Sequence, residues 1–428
     1  MATGQGAVPR ARWARILPGT VLIYVVAYMD RMNISLALPG GISRDLHLSM
    51  AGSGFAAGVF FVGYMLLQVP GGHIAEHFSA KKYVLWSILA MGAVSLLTGF
   101  VRNGGELIAM RFLLGVAEGG IYPALLIVVS KWFPAPEIGR ANAIFLTSLP
   151  LSTVLTNPLS AWIVSRYDWR WMFFLEGGLS LLLVLLWLPM ISDHPGEAKW
   201  ISPEERAYLE ETLAAERLAS ERQFQSTNGT QWSYRQLLTD KNLWLMVLIV
   251  VFYTSGQYGY SVWLPTLLSG LTRMSLGNVG WLSSLPFVAA LGGLYLFGAL
   301  SDKSGNRRLW TAVSLAGFAA SLLLATLLTR WVWPAFAMLV FTGIFLKAMQ
   351  SPFWAMPPLL FPPGFSGGAR GFINAVGNLG GFIGPLLVGW SVTLTGKMEY
   401  GSYCLVLTLL AGAGVTMLLP RVTTGRER

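Results

Sequence analysis

Long apolar runs alternate with short polar stretches along the whole chain. Runs near 16–37, 52–72, 82–101, 106–130, 141–165 and 171–191 precede a polar stretch from Ser192 to Asn242. Six more follow near 243–268, 278–301, 308–329, 333–361, 369–394 and 400–420. Each is apolar all round and about 20 residues long, enough for a helix to cross a hydrocarbon core about 30 Å thick. The pattern predicts an all-α polytopic membrane protein of twelve transmembrane helices. It divides into a six-helix bundle (1–191), a linker (192–242) and a second six-helix bundle (243–428).

The linker carries a helix signal of its own. Ser202-Pro203-Glu204-Glu205 offers an N-cap serine, a proline at the first helical position and a glutamate three residues after the cap. Leu209, Leu213 and Leu218 then recur among Glu and Arg, as in an amphipathic helix lying on the membrane surface and joining two halves that move. Loop cations set the orientation. With the N-terminus inside, the inner segments hold Arg10, Arg12, Arg15, Lys81, Lys82, Lys131, Arg140, Lys303, Arg307, Arg308, Arg370, Arg421, Arg426 and Arg428, with six more in the linker, against seven in the outer loops. Both termini and the linker are therefore expected on the cytoplasmic side of a cell membrane.

Composition agrees with the pattern. Of 428 residues, 54% are hydrophobic and 12% charged, and mean hydropathy is +0.57; soluble domains carry about 25% charged residues. The formal charge of +10 follows the loop bias and does not indicate nucleic acid. The cations before the first run imitate a signal peptide, but that run continues through Asp30 and Arg31 and eleven more follow, so an uncleaved helix is expected. The one cysteine, Cys404, reads as a packing residue.

Against this background the ionisable residues inside the runs stand out: Asp30, Arg31, Arg111, Glu118 and Lys347. Each costs roughly 2.5–3.5 kcal/mol at a helix centre and belongs in a bundle interior, where such residues mark the path of something charged. Arg111 and Glu118 are seven residues apart, on one helical face and about 10 Å apart along it. That is too far for a simple internal ion pair.

The loop after the eighth run reads Gly298-Ala-Leu-Ser-Asp302-Lys-Ser-Gly305-Asn-Arg307-Arg308. An acid, a turn glycine and a basic cluster at a helix end can form a charge-assisted latch. This segment resembles the loop motif of the major facilitator superfamily, which implies two six-helix halves and alternating access. Gly71–Lys82 is a degenerate first-half copy, with Glu76 where the family usually has Asp, His77 where it has Arg and Ser79 where it has Gly. Arg111-Phe-Leu-Leu-Gly115-Val-Ala-Glu118-Gly119-Gly120 resembles the superfamily's fourth-helix motif.

Further segments narrow the resemblance to the anion:cation symporter family, the organic-anion, tartrate- or phthalate-like permeases. They are Tyr28-Met-Asp30-Arg31, Tyr64 with Gln68-Val-Pro-Gly-Gly72, Trp169-Arg-Trp-Met-Phe173, Trp200–Arg206, Trp263-Leu-Pro265, Trp354-Ala-Met-Pro357 and Asn374–Pro385. The resemblance implies uptake of a small organic anion, such as a sugar acid or another carboxylate, with protons. It implies Asp30 and Glu118 as protonation sites and Arg31 and Arg111 as anion ligands. Tyr28, Tyr64, Gln257 and Asn378 would hydrogen-bond to the substrate.

The residues agree with that reading. Arginine binds carboxylates bidentately and stays charged. Carboxyl groups in low dielectric can exchange protons near neutrality. The five intramembrane charges sum to +1, and protonating both acids makes +3, so an anion binds the protonated protein better. Gln257, between Tyr253 and Tyr260 on one face, is expected to touch substrate. Asn374 and Asn378 fit substrate contact or interhelical bonding equally, and Trp263 and Trp354 fit a cavity wall or an anchor. Lys347 departs from the family pattern. It lies seven residues before Trp354, in a stretch offering no acid at i±3 or i±4, and a second acidic group on the substrate would suit it.

The histidines His47, His73, His77 and His194 fall in loops or at run ends, with no metal cluster, nucleophile elbow or phosphate loop. No enzyme, cofactor, metal or nucleic-acid partner is expected. The partners are an organic anion, a proton and the lipid bilayer, with the protein a monomer. Alternatives are an anion exchanger, including one for phosphorylated substrates, or Na⁺ coupling. A non-transporting sensor is disfavoured by the short tails.

Overall fold

A computed structural model describes residues 10–227 and 234–421; the expected inner cations Arg426 and Arg428 lie outside the described residues. Twelve helical spans are long and apolar enough to cross a membrane. Spans one to six are Ala11–Asp45, Met50–His77, Ala80–Thr98, Gly104–Trp132, Ala135–Arg166 and Trp169–Met190. Spans seven to twelve are Lys241–Thr272, Leu276–Ser304, Arg307–Leu327, Val332–Leu360, Phe365–Thr395 and Met398–Thr416. Polar residues start several of them: Ser79 caps span three, Asp168 span six and Asp240 span seven, each side chain accepting from the first backbone N–H groups. Large apolar side chains such as Trp86, Leu185, Tyr295 and Leu407 remain exposed on the outer surfaces, where lipid is their solvent.

Five spans are interrupted, and the interruptions fall where the chemistry lies. Span one is α-helical to Met32, passes Asn33 and opens into a π-helical turn at Leu38–Ile42, where Gly41 takes φ +111°. Span four breaks at Gly119-Gly120, span five at Thr147 and span eleven at Asn378. Span ten, expected as one continuous helix, stops at Leu346 and resumes at Gln350–Trp354. The helix is therefore interrupted between Lys347 and Trp354, so their seven-residue spacing does not by itself put them on one helical face.

Within the first half, span two packs on span four and span three on span six. Within the second, span seven packs on eleven and twelve, and span eight on ten. The halves meet where span two crosses span eleven and span five crosses span eight. These crossings close on the face away from the linker. There Asn157 Nδ2 donates to the Ser283 carbonyl at 3.1 Å and the Ala51 N–H to Thr393 Oγ1 at 2.9 Å. A Cβ on Gly54 would stand 2.3 Å from the Pro385 carbonyl oxygen, so only glycine allows this approach. At the linker-face ends of spans five and eleven, Gly139, Gly367 and Gly371 are exposed and face open space.

The linker helix, Pro203–Thr227, is docked on the first half. Arg12, 1% exposed, holds Glu205 at 2.6 Å and Glu137 at 2.7 Å, tying the linker to the starts of spans one and five. Trp132 stacks on Trp200 at 5.0 Å beside this triad. Of the linker's apolar residues, Leu209 is fully buried and Leu218 is 55% exposed.

Candidate functional site

The side chains of Asp30 and Arg31, neighbours in sequence, part company in the fold. Arg31 turns toward the interface between the halves. Its Nε and Nη2 both donate to Glu118 Oε1, Nε at 3.1 Å. Its Nη1 donates to Tyr258 Oη on span seven at 3.4 Å. The guanidinium is wrapped by aromatic rings, with Tyr64, Tyr28 and Phe60 at 4.6, 5.1 and 5.2 Å. Glu118 is fully buried, and its Oε2 has no hydrogen-bond partner among the described residues. The base that pairs with Glu118 is not Arg111 of its own span: span one brings Arg31 onto it from 87 residues away.

Asp30 faces the other way, into its own half. Its carboxyl accepts from Ser95 Oγ on span three at 2.9 Å and from Ser180 Oγ on span six at 2.8 Å. Arg111 lies between the two environments. Its Nη1 and Nη2 donate to the backbone carbonyls of Asp30 at 3.1 Å and Arg31 at 3.0 Å. In this structure the fork of Arg111 is occupied by main chain, and it reaches an anion only by giving up those bonds.

The second half supplies the opposite wall. Lys347 closes the first segment of span ten, where the helix C-terminus favours a cation. It is 8% exposed and lies within electrostatic reach of Arg31, and its side chain has no acid or hydrogen-bond partner among the described residues. The side chain of Gln257 is likewise buried and makes no hydrogen bond among the described residues. Tyr253 and Tyr260, on either side of it, donate to the Leu346 and Leu339 carbonyls at 2.8 Å each and so anchor span seven to span ten. Asn378, at the break in span eleven, donates to Gln68 Oε1 across the interface at 3.4 Å and to the Asn374 carbonyl at 2.8 Å. The side chains of Asn374 and Trp354 are half-buried nearby in their spans. Trp263 donates to the Pro385 carbonyl at 3.0 Å, which makes it an anchor.

The loop motif stands apart from this centre. Gly305 ends span eight at φ +68°, and Gly298 admits the close approach of Ser351. Asp302 pairs with Arg307 at 3.3 Å, within its own half. Arg308 donates to the Leu419 carbonyl at 2.7 Å. In the degenerate first-half copy Glu76 is exposed, and Ser79 instead meets Asp193. No cluster of three or more His, Cys, Asp or Glu able to hold a metal occurs among the described residues. Sequence reasoning passed over Tyr258 and Glu176, and gave Gln68 no role of its own. Glu176 carried a usable signal, being an acid inside an apolar run.

The family model of the Major Facilitator Superfamily matches residues 20–385 and 268–428. A putative tartrate transporter of Agrobacterium vitis is 34% identical over 414 residues, covering 95% of this chain and 93% of the relative. A quinolone resistance transporter of Acinetobacter baumannii is 29% identical over 95% of this chain and 93% of its own length. The crystal structure of a bacterial homologue of the human lysosomal transporter Spinster superposes with a TM-score of 0.77 at 15% identity, covering 96% of this chain and 97% of that one. Twelve spans in two six-helix halves, charges gathered where the halves meet, and a family match along the chain lead to one conclusion: the protein is a multi-pass membrane transporter of the Major Facilitator Superfamily, and not an enzyme.

Proposed function

We propose that the protein takes up a small organic anion, a carboxylate with a second acidic or strongly polar group, together with protons. The observation that carries this reading is Lys347: a buried lysine with no acid partner among the described residues, in the half opposite Arg31 and within electrostatic reach of it. Two cations from opposite halves, only one of them paired with a carboxylate, favour an anion between them. Arg31 presents the planar fork and Lys347 the point charge. Tyr28, Tyr64, Gln257, Asn374 and Asn378 supply hydrogen bonds, Trp354 a wall, and Arg111 holds the backbone that carries Arg31. The similarity to a putative tartrate transporter supports the substrate class.

Glu118 is the coupling group of this proposal. Ionised, it competes with the anion for Arg31; protonated on its unpartnered Oε2, it releases the guanidinium to the substrate. Asp30 adjusts this exchange through the shared backbone. With the linker on the cytoplasmic side of the cell membrane, the closed face is the outer one and the structure is inward-facing. Asp302 would then join the halves in the opposite state. The protein acts as a monomer, since each half supplies one wall of the site.

A thermal-shift screen of mono- and dicarboxylates on the purified protein tests the site. Stabilisation by a diacid that Arg31→Lys weakens about tenfold or more is expected. Carboxylates that leave both proteins equally unaffected would remove the anion site.

A further inference from the structure

Beside the site lies a further buried acid that the proposed cycle does not use. Glu176, on span six, is 1% exposed. Its carboxyl accepts from Ser160 Oγ on span five at 2.5 Å and from Asn33 Nδ2 on span one at 3.0 Å. Ser180, one turn further along span six, reaches both Asp30 Oδ2 at 2.8 Å and the Glu176 backbone carbonyl at 3.1 Å. Asp30 and Glu176 thus belong to one cluster spanning spans one, three, five and six.

The partners of this cluster have a common chemistry. Hydroxyls of Ser95, Ser160 and Ser180 and the amide of Asn33 can each donate to a carboxylate or accept from a carboxylic acid. No cation touches either carboxyl among the described residues. The charged groups facing the cluster are Arg111, whose fork is spent on the carbonyls of residues 30 and 31, and beyond it the Arg31–Glu118 pair. Two ionised carboxylates with no cation would be costly in such an interior. The hydrogens point the same way: the single hydroxyl hydrogen of Ser180 faces two acceptors, and a proton on Asp30 Oδ2 gives each contact its own donor. Arginine beside Glu118 favours one charge state; this cluster is furnished for both.

We propose that Glu176 is a further proton-binding residue of the transport cycle, coupled to Asp30 and gripping span one at Asn33. Binding places a proton on one Glu176 carboxyl oxygen, and release returns it to water and leaves a carboxylate. Asn33 sits where the regular helix of span one ends, and Ile34–Ala37 beyond it pack on span seven. A change of charge at Glu176 therefore acts on the part of span one that meets the other half. This inference rests on the proton-coupled reading for its role in the cycle, but not for the proton site itself.

Infrared difference spectroscopy of the full chain in lipid nanodiscs, titrated over pH without substrate, reads carboxylic-acid groups directly. Glu176→Gln is expected to remove part of the titrating carboxyl absorbance. It should also move the midpoint of the remainder, which includes Asp30, by about one pH unit. Ser160→Ala keeps both acids and should move the midpoint without loss of absorbance, which covers the case in which Glu176→Gln does not fold. A titration unchanged in the folded variant, by position and by amplitude, overturns the proposal. No gradient or substrate enters this measurement, so failure of proton-driven flux would leave its outcome untouched.

Discussion

At the residue scale the proposed site is a contest for Arg31. Its rivals are the Glu118 carboxylate and the incoming anion, with aromatic rings holding the guanidinium in place. Glu118→Gln removes the titratable group and keeps the shape. It is expected to abolish proton-driven accumulation while leaving exchange of labelled for unlabelled substrate; accumulation at the wild-type rate would take Glu118 out of the coupling role. Lys347→Gln is expected to weaken a diacid at least tenfold and a monoacid of similar shape far less, as compared by competition for uptake. Equal losses would mean that Lys347 does not read the second group. The charged members of the site were legible because an ion in an apolar run is costly wherever it occurs. Their partners were not. That Arg31 meets Glu118 while Asp30 meets Ser95 and Ser180 depends on which way consecutive side chains leave the helix and on what packs there. Glu176 was legible by the same rule as Glu118, since it lies inside the run 171–191, but only its contacts with Asn33 and Ser160 give it meaning.

At the element scale, interrupted helices do the positioning. The stop after Leu346, fastened by Tyr253, places Lys347 at a helix terminus instead of on a lipid-facing flank. Such a break is invisible in an unbroken apolar run, which is why the twelve spans could be read from the sequence and the bend in span ten could not. The linker helix was also legible from its cap and leucines; its mooring was not, because Arg12 reads as one more loop cation until Glu137 and Glu205 close on it. Arg12 is buried between two acids, so Glu205→Gln is expected to cost about 3 kcal/mol. The loss would be seen as a lowered unfolding temperature, together with faster proteolysis of the linker. Unchanged values for both would show the triad to be dispensable. Asp302→Asn tests the latch: labelling of single cysteines placed at either face, in a Cys404→Ser background, should shift toward the linker face. Unaltered labelling would count against it.

At the scale of the whole molecule, two halves press together on the face away from the linker, with unlike charges poised near where they meet. The closed face depends on close backbone approach, as at Gly54 against Pro385, and the linker-side ends of spans five and eleven are exposed at Gly139, Gly367 and Gly371. In the proposed cycle, alternating access exchanges which crossings touch, and an anion bridging Arg31 and Lys347 is the ligand that would draw the halves together. The similarity to a transporter named for quinolone resistance gives reason to test flux in both directions. The most direct measurement uses proteoliposomes with an imposed pH gradient, no counter-anion inside and labelled tartrate as the probe, followed with an internal pH dye. The account predicts that tartrate accumulates when the outside is acid, that the lumen acidifies in step with it, and that reversing the gradient reverses the flux. Tartrate movement that requires a counter-anion and ignores the pH gradient would contradict it.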